Sequence, residues 1–137
     1  MLDSNVLQAL MNPQHSFHIS ALELFEREQK LSSAMTICPV VYTEAHSFSM
    51  FEAELYLDFL AEADISIDWQ IPERTWTLAG LAQTEYHKRR RRAGISERRR
   101  LIADFVIGAH AVARDATLLS FDKGYRISFP TLELCFR

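Results

Sequence analysis

Apolar residues recur along the chain with helical and with strand-like spacing, and the alternation of the two lays out the elements. Met1 to Asp3 can form only the end of a short strand, so the first strand is expected to be short. Val6, Leu7, Leu10 and Met11 then fall at helical spacing over residues 4–11, and Asn12-Pro13 stops them. Residues 19–31 repeat the pattern, with Leu22 and Phe25 on one face and Glu and Lys on the other. The run Met35-Thr-Ile-Cys38 is short, apolar and β-rich, and predicts a buried strand ending at Pro39. A helix through Val40, Val41, Glu44 and Phe48 follows. Phe51, Leu55, Phe59 and Leu60 mark a further amphipathic helix that ends near Asp64, and residues 65–69 read as a third strand. Pro72 opens a long helix with Trp76, Ala79, Leu81 or Ala82, and Tyr86 expected inward. That helix runs into a cluster of arginines and breaks at Gly94. Ile102, Phe105, Val106, Ala109, Val112 and Ala113 place an apolar stripe on the next helix. Residues 117–121 form a compact strand, Asp122-Lys-Gly a turn, and residues 131–136 a last strand.

Strands alternating with helices predict an open, mostly parallel α/β sheet. At 137 residues the chain is long enough for one core and too short for two ordinary domains, so a single domain over residues 1–137 is expected. Apolar residues make up 48% and Gly plus Pro number only eight, which excludes disordered and fibrous classes. No apolar run reaches the length of a membrane span and no basic, apolar leader opens the chain. A cytoplasmic site of action without a membrane partner is therefore expected. Cys38 and Cys135 lie in apolar, strand-like contexts without a His or Cys at ligand spacing, and read as buried thiols.

Charge changes this picture. Lys88, Arg89, Arg90, Arg91, Arg92, Arg98, Arg99 and Arg100 fall within thirteen residues that hold one acid, Glu97, a local charge of +7. The rest of the chain then carries −10 within the net −3, so an acidic protein contains a local anion-binding patch. The bland reading is a solvated helix end favoured by the C-terminal dipole. Five consecutive bases encircle a helix and repel one another, however, and beyond Glu85 no acids match them. An anion-binding patch is the reading preferred here.

In open α/β sheets, sites lie beyond the carboxyl ends of the strands. Asp3 follows the first strand, Glu44 lies in the first turns of a helix after the second, Asp104 begins a helix, and Asp122 follows the strand after it. Each acid has a structural explanation as a cap, a dipole partner or turn chemistry. Four carboxylates on one rim would repel unless a cation sat among them, and hard oxygen ligands at that density suit Mg²⁺ or Mn²⁺.

These acids occur in Leu-Asp-Ser-Asn-Val-Leu, Pro-Val-Val-Tyr-Thr-Glu-Ala, Ile-Ala-Asp-Phe-Val-Ile-Gly-Ala-His-Ala and Thr-Leu-Leu-Ser-Phe-Asp-Lys-Gly-Tyr. In order and spacing over essentially the whole chain, the set resembles the PIN domain, specifically the VapC-type toxin ribonucleases. The resemblance implies an α/β/α sandwich around a central, mostly parallel sheet of four to five strands. It also implies a Mg²⁺- or Mn²⁺-dependent endoribonuclease, paired with a VapB-type antitoxin that occludes the site. Asp3, Glu44, Asp104 and Asp122 match the family's acidic quartet and are the implied metal and catalytic residues. Asn5 and Ser120 match positions that would hold the carboxylates in place, and Ser4 stands where Thr is commoner. A homodimer and a transfer RNA substrate are habits of the family.

Hydrolysis would proceed by water activated at the metal, leaving 5′-phosphate and 3′-hydroxyl ends. A metal-free ribonuclease would want an acid/base pair such as two histidines, and His46, His87 and His110 are scattered. A phosphoaspartyl transferase of the haloacid dehalogenase type would want a second acid two residues after the first, where this chain has Asn5. The non-enzymatic alternative is a catalytically silent PIN-like module that binds nucleic acid or protein. Trp69, Trp76, Phe51 and Phe59 are expected to pack in the core or to line a groove for a partner helix, which exposure of Phe48 and Phe51 near Glu44 would favour.

Overall fold

In the computed structural model, residues 1–31, 34–48, 52–94 and 100–135 are described. Phe51, Glu97, Arg98 and Arg99 lie outside these described residues. Helices and strands alternate as α1 (Ser4–Met11), α2 (His18–Leu31), β1 (Met35–Ile37), α3 (Pro39–Ala45), α4 (Ala53–Glu62) and β2 (Ile65–Ile67). The long α5 (Glu73–Ala93), α6 (Ile102–Ala113), β3 (Leu118–Leu119), α7 (Tyr125–Ser128) and β4 (Leu134–Cys135) complete the order. The class is α/β.

In place of one sheet of four to five strands, β1 pairs in parallel with β2, and β3 in parallel with β4. Between these two ladders runs the opening segment. Leu2 N donates to Thr36 O at 2.8 Å on one side, while Leu119 N donates to Met1 O at 2.8 Å and Asp3 N to Leu119 O at 3.0 Å on the other. The segment stays short because Asp3, itself still extended, caps α1, which begins at the next residue, its side chain accepting from Ser4 N.

Helix faces follow local chemistry. α1 buries Val6, Leu7, Ala9 and Leu10. α5 starts beside Pro72, carries Glu73 in its first turn and Arg90, Arg91 and Arg92 in its last, and ends at Gly94 with φ of 62°. The charges complement the dipole, and glycine accommodates the left-handed cap without a Cβ penalty. On α5, Ala79 and Ala82 are buried and Tyr86 half-buried as expected, but Thr75 is buried in place of Trp76, which is 53% exposed, and Leu81 is 61% exposed. Small residues let α5 approach α6, its main packing partner, more closely than an indole would. α6 is buried from Phe105 through Ala111, and a Cβ on Gly108 would stand 2.4 Å from the Phe129 ring. Ile102, expected inward, is exposed at the start of that helix.

α4 likewise buries Tyr56 and Leu60 and exposes Leu55. Trp69, expected to pack, is 62% exposed with its edge toward Tyr42. Cys38 is buried and Cys135 half-buried, both as free thiols. Buried apolar residues from Met1 to Leu134 form one cluster. No helix among the described residues is long and apolar enough to cross a membrane.

Candidate active site

A cleft of about 940 Å³ opens beside the carboxyl ends of β1 and β3 and is lined by Asp3, Glu44, Asp104 and Asp122, together with Asn5 and Arg100. Asp3 is its buried floor, 4% exposed, because the chain turns there from the opening segment into α1. Four donors converge on this carboxylate. Oδ1 accepts from Ser4 N at 2.8 Å and from the Tyr125 hydroxyl at 3.3 Å, and Oδ2 from Asn5 Nδ2 and Ser120 Oγ, each at 2.6 Å. Asp3 is thus a helix cap and a cleft residue at once.

Burial pushes the Asp3 carboxyl up from its ordinary 3.8 to about 6; the hydrogen bonds from Ser120 and Ser4 oppose the rise, and the charges of Asp104 and Glu44 add to it. The same electrostatic reach places Asp104, Asp122 and Asp3 around Tyr125, whose hydroxyl is raised well above its ordinary range, chiefly by burial. Tyr125 therefore remains a phenol and a hydrogen-bond donor.

Asn5 and Ser120 support this floor. Ser120 Oγ donates to Asp3 and accepts from Asn5 Nδ2 at 3.1 Å and from Asp122 N at 3.0 Å, so its one hydrogen and two lone pairs are all engaged. Asn5 Oδ1 accepts from Phe121 N at 3.1 Å, tying α1 to the end of β3.

The other three acids are held by donors of this chain. Glu44 on α3 accepts from the Ser4 hydroxyl. Asp104 stands in the first turn of α6 and accepts from Leu101 N at 2.9 Å. Asp122 accepts from Gly124 N at 2.7 Å through Oδ1, and Arg100 Nη2 reaches its Oδ2 at 2.5 Å. In this arrangement no group of three or more carboxylate, histidine or cysteine side chains among the described residues is close enough to hold one metal ion. The donor set nevertheless fits Mg²⁺ or Mn²⁺ in kind: hard oxygens, with one buried carboxylate whose charge is disfavoured by burial and by its acidic neighbours. Side-chain rotation of Glu44, Asp104 or Asp122 would be needed to bring them onto a shared ion.

Of the predicted basic residues, Arg89, Arg90 and Arg100 line the cleft. Lys88 pairs with Glu85 at 2.7 Å, while Arg91 and Arg92 are exposed in the last turn of α5 and are not part of the lining. Arg98 and Arg99 lie outside the described residues. Arg90 Nη1 donates to the Tyr86 hydroxyl at 3.1 Å, which also accepts from Arg100 N at 3.1 Å. The Arg100 guanidinium lies 4.7 Å from the centroid of the Tyr125 ring, and its Nη1 is buried without a hydrogen-bond partner among the described residues. A buried, unsatisfied donor costs about 1–3 kcal/mol, more when charged.

Sequence reasoning gave no role to Tyr125, Tyr86, Ser4 or Gly124. The signal available was position: Ser4 and Tyr125 lie within the two motifs that carry Asp3 and Asp122. His110 turns away from the cleft. It is fully buried, with Nε2 3.0 Å from Asp68 Oδ2 and Nδ1 3.4 Å from Thr75 Oγ1, and Arg114 grips the same Asp68 at 2.6 and 2.9 Å. Its pKa is lowered, chiefly by burial and against the pull of Asp68, so it ties β2 and α5 to α6 as a neutral ring.

Phe48 is half-buried and lines the cleft beside Ser47. Comparison with known proteins followed the same whole-chain pattern. Two solved structures superpose with a TM-score of 0.68 each. One is VapBC2 from Rickettsia felis bound to a DNA fragment from its promoter, at 22% identity over 99% of this chain and 96% of that one. The other is VapBC-1 from nontypeable Haemophilus influenzae, at 15% identity over the same shares. These likenesses concern the fold. No curated protein matches. The family model for the PIN domain matches residues 1–128, from the Asp3 motif through α7, and on that match the chain belongs to the PIN domain family.

Proposed function

We propose that this chain is a single PIN domain acting as a divalent-cation-dependent endoribonuclease, the toxin of a VapBC-type pair working in the cytoplasm. The observation that carries this reading is the Asp3 carboxylate, buried and held by four donors, within electrostatic reach of Glu44 and Asp104. Folding has placed a poorly tolerated charge on the floor of an open cleft, which suits a site built to share that charge with a cation. The two ladders and the opening segment would form one parallel sheet of five short strands between helical layers.

Asp3, Glu44, Asp104 and Asp122 would hold Mg²⁺ or Mn²⁺, with Asn5 and Ser120 keeping Asp3 in place. When bound, the cation supplies an activated water and neutralises charge on the phosphoryl oxygens. Arg89, Arg90 and Arg100 offset the acidic floor and draw the RNA backbone into the cleft, with Lys88, Arg91, Arg92, Arg98 and Arg99 extending the field around it. Tyr86 steers Arg90 and the Arg100 backbone through its hydroxyl. A VapB-type antitoxin would occlude the cleft, a homodimer is the expected assembly, and transfer RNA is a candidate substrate.

A silent binding module is the second reading. It is favoured by the arrangement in which Glu44, Asp104 and Asp122 are each engaged by donors of this chain. Incubation of the purified protein with total RNA separates the two. Discrete cuts bearing 5′-phosphate ends, lost on adding EDTA and restored by Mn²⁺, are expected. Intact RNA in Mn²⁺, or cutting that persists in EDTA, would reject the nuclease reading.

The arginines make a second expectation. Arg89→Ala with Arg90→Ala should weaken RNA binding and reduce the slope of log affinity against log salt by about 1.4, two contacts at about 0.7 each for single strands. Arg91→Ala with Arg92→Ala should change the slope less, since neither lines the cleft. Equal slopes for all three proteins in a salt titration would return the arginines to a solvated helix end.

A further inference from the structure

We propose that Arg100 is an internal counter-ion that occupies Asp122 while the cleft is free of metal and yields that carboxylate to a divalent cation when one binds. The inference rests on the metal-dependent reading above and adds to it the group that sets the affinity of the site.

The Asp122 side chain is 44% exposed and the Arg100 side chain 12%, so the guanidinium has come into the cleft wall to reach the acid. A seat receives it there. The Tyr125 ring lies beneath the guanidinium at 4.7 Å, and the absence of a side chain on Gly124 leaves the space, since a Cβ there would stand 2.4 Å from Nη2. Among the described residues no other salt bridge reaches the four acids; Glu44 and Asp104 are met by a hydroxyl and a backbone N–H.

The seat suits the charge better than it suits the hydrogen bonds. Nη2 has its carboxylate, while Nη1 is buried without a partner among the described residues, so the guanidinium has only part of its hydration replaced by them. Such a pair persists while Asp122 lacks a better cation. A divalent ion offers twice the charge and needs no hydrogen-bond acceptors, and it shares Asp122 with neighbouring acids that a planar guanidinium does not reach. Release needs no backbone movement, because Arg100 N stays fixed to the Tyr86 hydroxyl and the side chain alone rotates. The apparent metal affinity is then the intrinsic one reduced by the fraction of molecules in which the seat is vacant.

The test is a calorimetric titration of the whole protein with Mn²⁺, comparing the parent with Arg100→Gln and with Arg89→Gln, which removes another cation lining the cleft. Arg100→Gln is expected to bind Mn²⁺ about tenfold more tightly than the parent, and Arg89→Gln within about threefold of it. Equal or weaker binding by Arg100→Gln, with the parent binding normally, would overturn the exchange and leave the nuclease reading standing. No heat from any of the three would remove the metal reading and the exchange with it. A second measurement needs no variant: the guanidinium ¹⁵N resonances of Arg100 in the parent should show hindered Nη rotation in EDTA and free rotation in Mg²⁺. Resonances that stay unchanged while the Asp122 carboxyl carbon shifts would overturn the proposal.

Discussion

Replacing Asp104 with asparagine is expected to abolish RNA cleavage and growth inhibition while leaving the fold in place. Asp104 Oδ2 accepts from Leu101 N at 2.9 Å in the first turn of α6, so the residue has a structural task as well as its proposed chemical one. Asparagine retains an oxygen for that hydrogen bond. What it forfeits structurally is a carboxylate near a helix N-terminus, worth about 0.3–1 kcal/mol. That loss is small beside the roughly 5–15 kcal/mol that holds a domain of this size together. Chemically the exchange is severe, because an amide is a neutral and weaker ligand for a hard cation. Losing a partner that merely orients a metal ligand typically costs about 10–100-fold, so removing a proposed direct ligand should reduce the cleavage rate by more than about 100-fold. Initial rates on one RNA at saturating Mg²⁺, alongside thermal unfolding of both proteins, measure the two effects separately. A folded variant that cuts as fast as its parent would take Asp104 out of the proposed site.

The fold was legible where local rules act alone. The span of α1 follows from four apolar positions between Asp3 and Asn12-Pro13, and the end of α5 from a glycine that adopts φ of 62°. What could not be read was which face of a helix wins when two faces are both apolar. On α5 the choice between Thr75 and Trp76 is made by how closely α6 approaches, a tertiary quantity absent from the periodicity. The four-residue α7 is too short to have a period, and it carries Tyr125, the donor to Asp3 that sequence reasoning left unassigned. The first ladder is short because β1 runs at once into Cys38, the cap of α3.

At the cleft, the spacing of acids after strands pointed to residues that do line one concavity. It gave no hint that a member of the arginine run turns inward to one of those acids. In sequence, Arg100 is indistinguishable from Arg99 or Arg98. Its position is decided by Tyr125 and Gly124, more than twenty residues away along the chain.

The contribution of Asp3 to the stability of the metal-free protein should fall as the pH rises through about 6. Its folded-state pKa, about 6, lies above the ordinary 3.8 because burial disfavours the charged form, with the charges of Asp104 and Glu44 adding to the effect. Between these values the folded protein binds the proton and the unfolded chain does not, so unfolding releases it and stability declines with pH. The contribution of Asp3 is fully present below about 3.8 and is lost as the pH passes about 6. At about 1.4 kcal/mol per pH unit the difference between the two values amounts to about 3 kcal/mol, large for one side chain. Urea unfolding in EDTA from pH 4 to pH 8, for the parent and Asp3→Asn, isolates this contribution, since the asparagine variant lacks the titration. The parent should lose most of that, about 2 kcal/mol, relative to the variant across this interval, which begins just above 3.8. Mn²⁺ should reverse the loss at pH 7 by about 2.7 kcal/mol at a hundred times its dissociation constant. At the same concentration it should give only about half as much at pH 5, where the proton competes for the same carboxylate. A difference between the two proteins that stays flat with pH would mean that Asp3 ionises as readily in the fold as in water. The charge on the floor of the cleft would then need no cation to balance it.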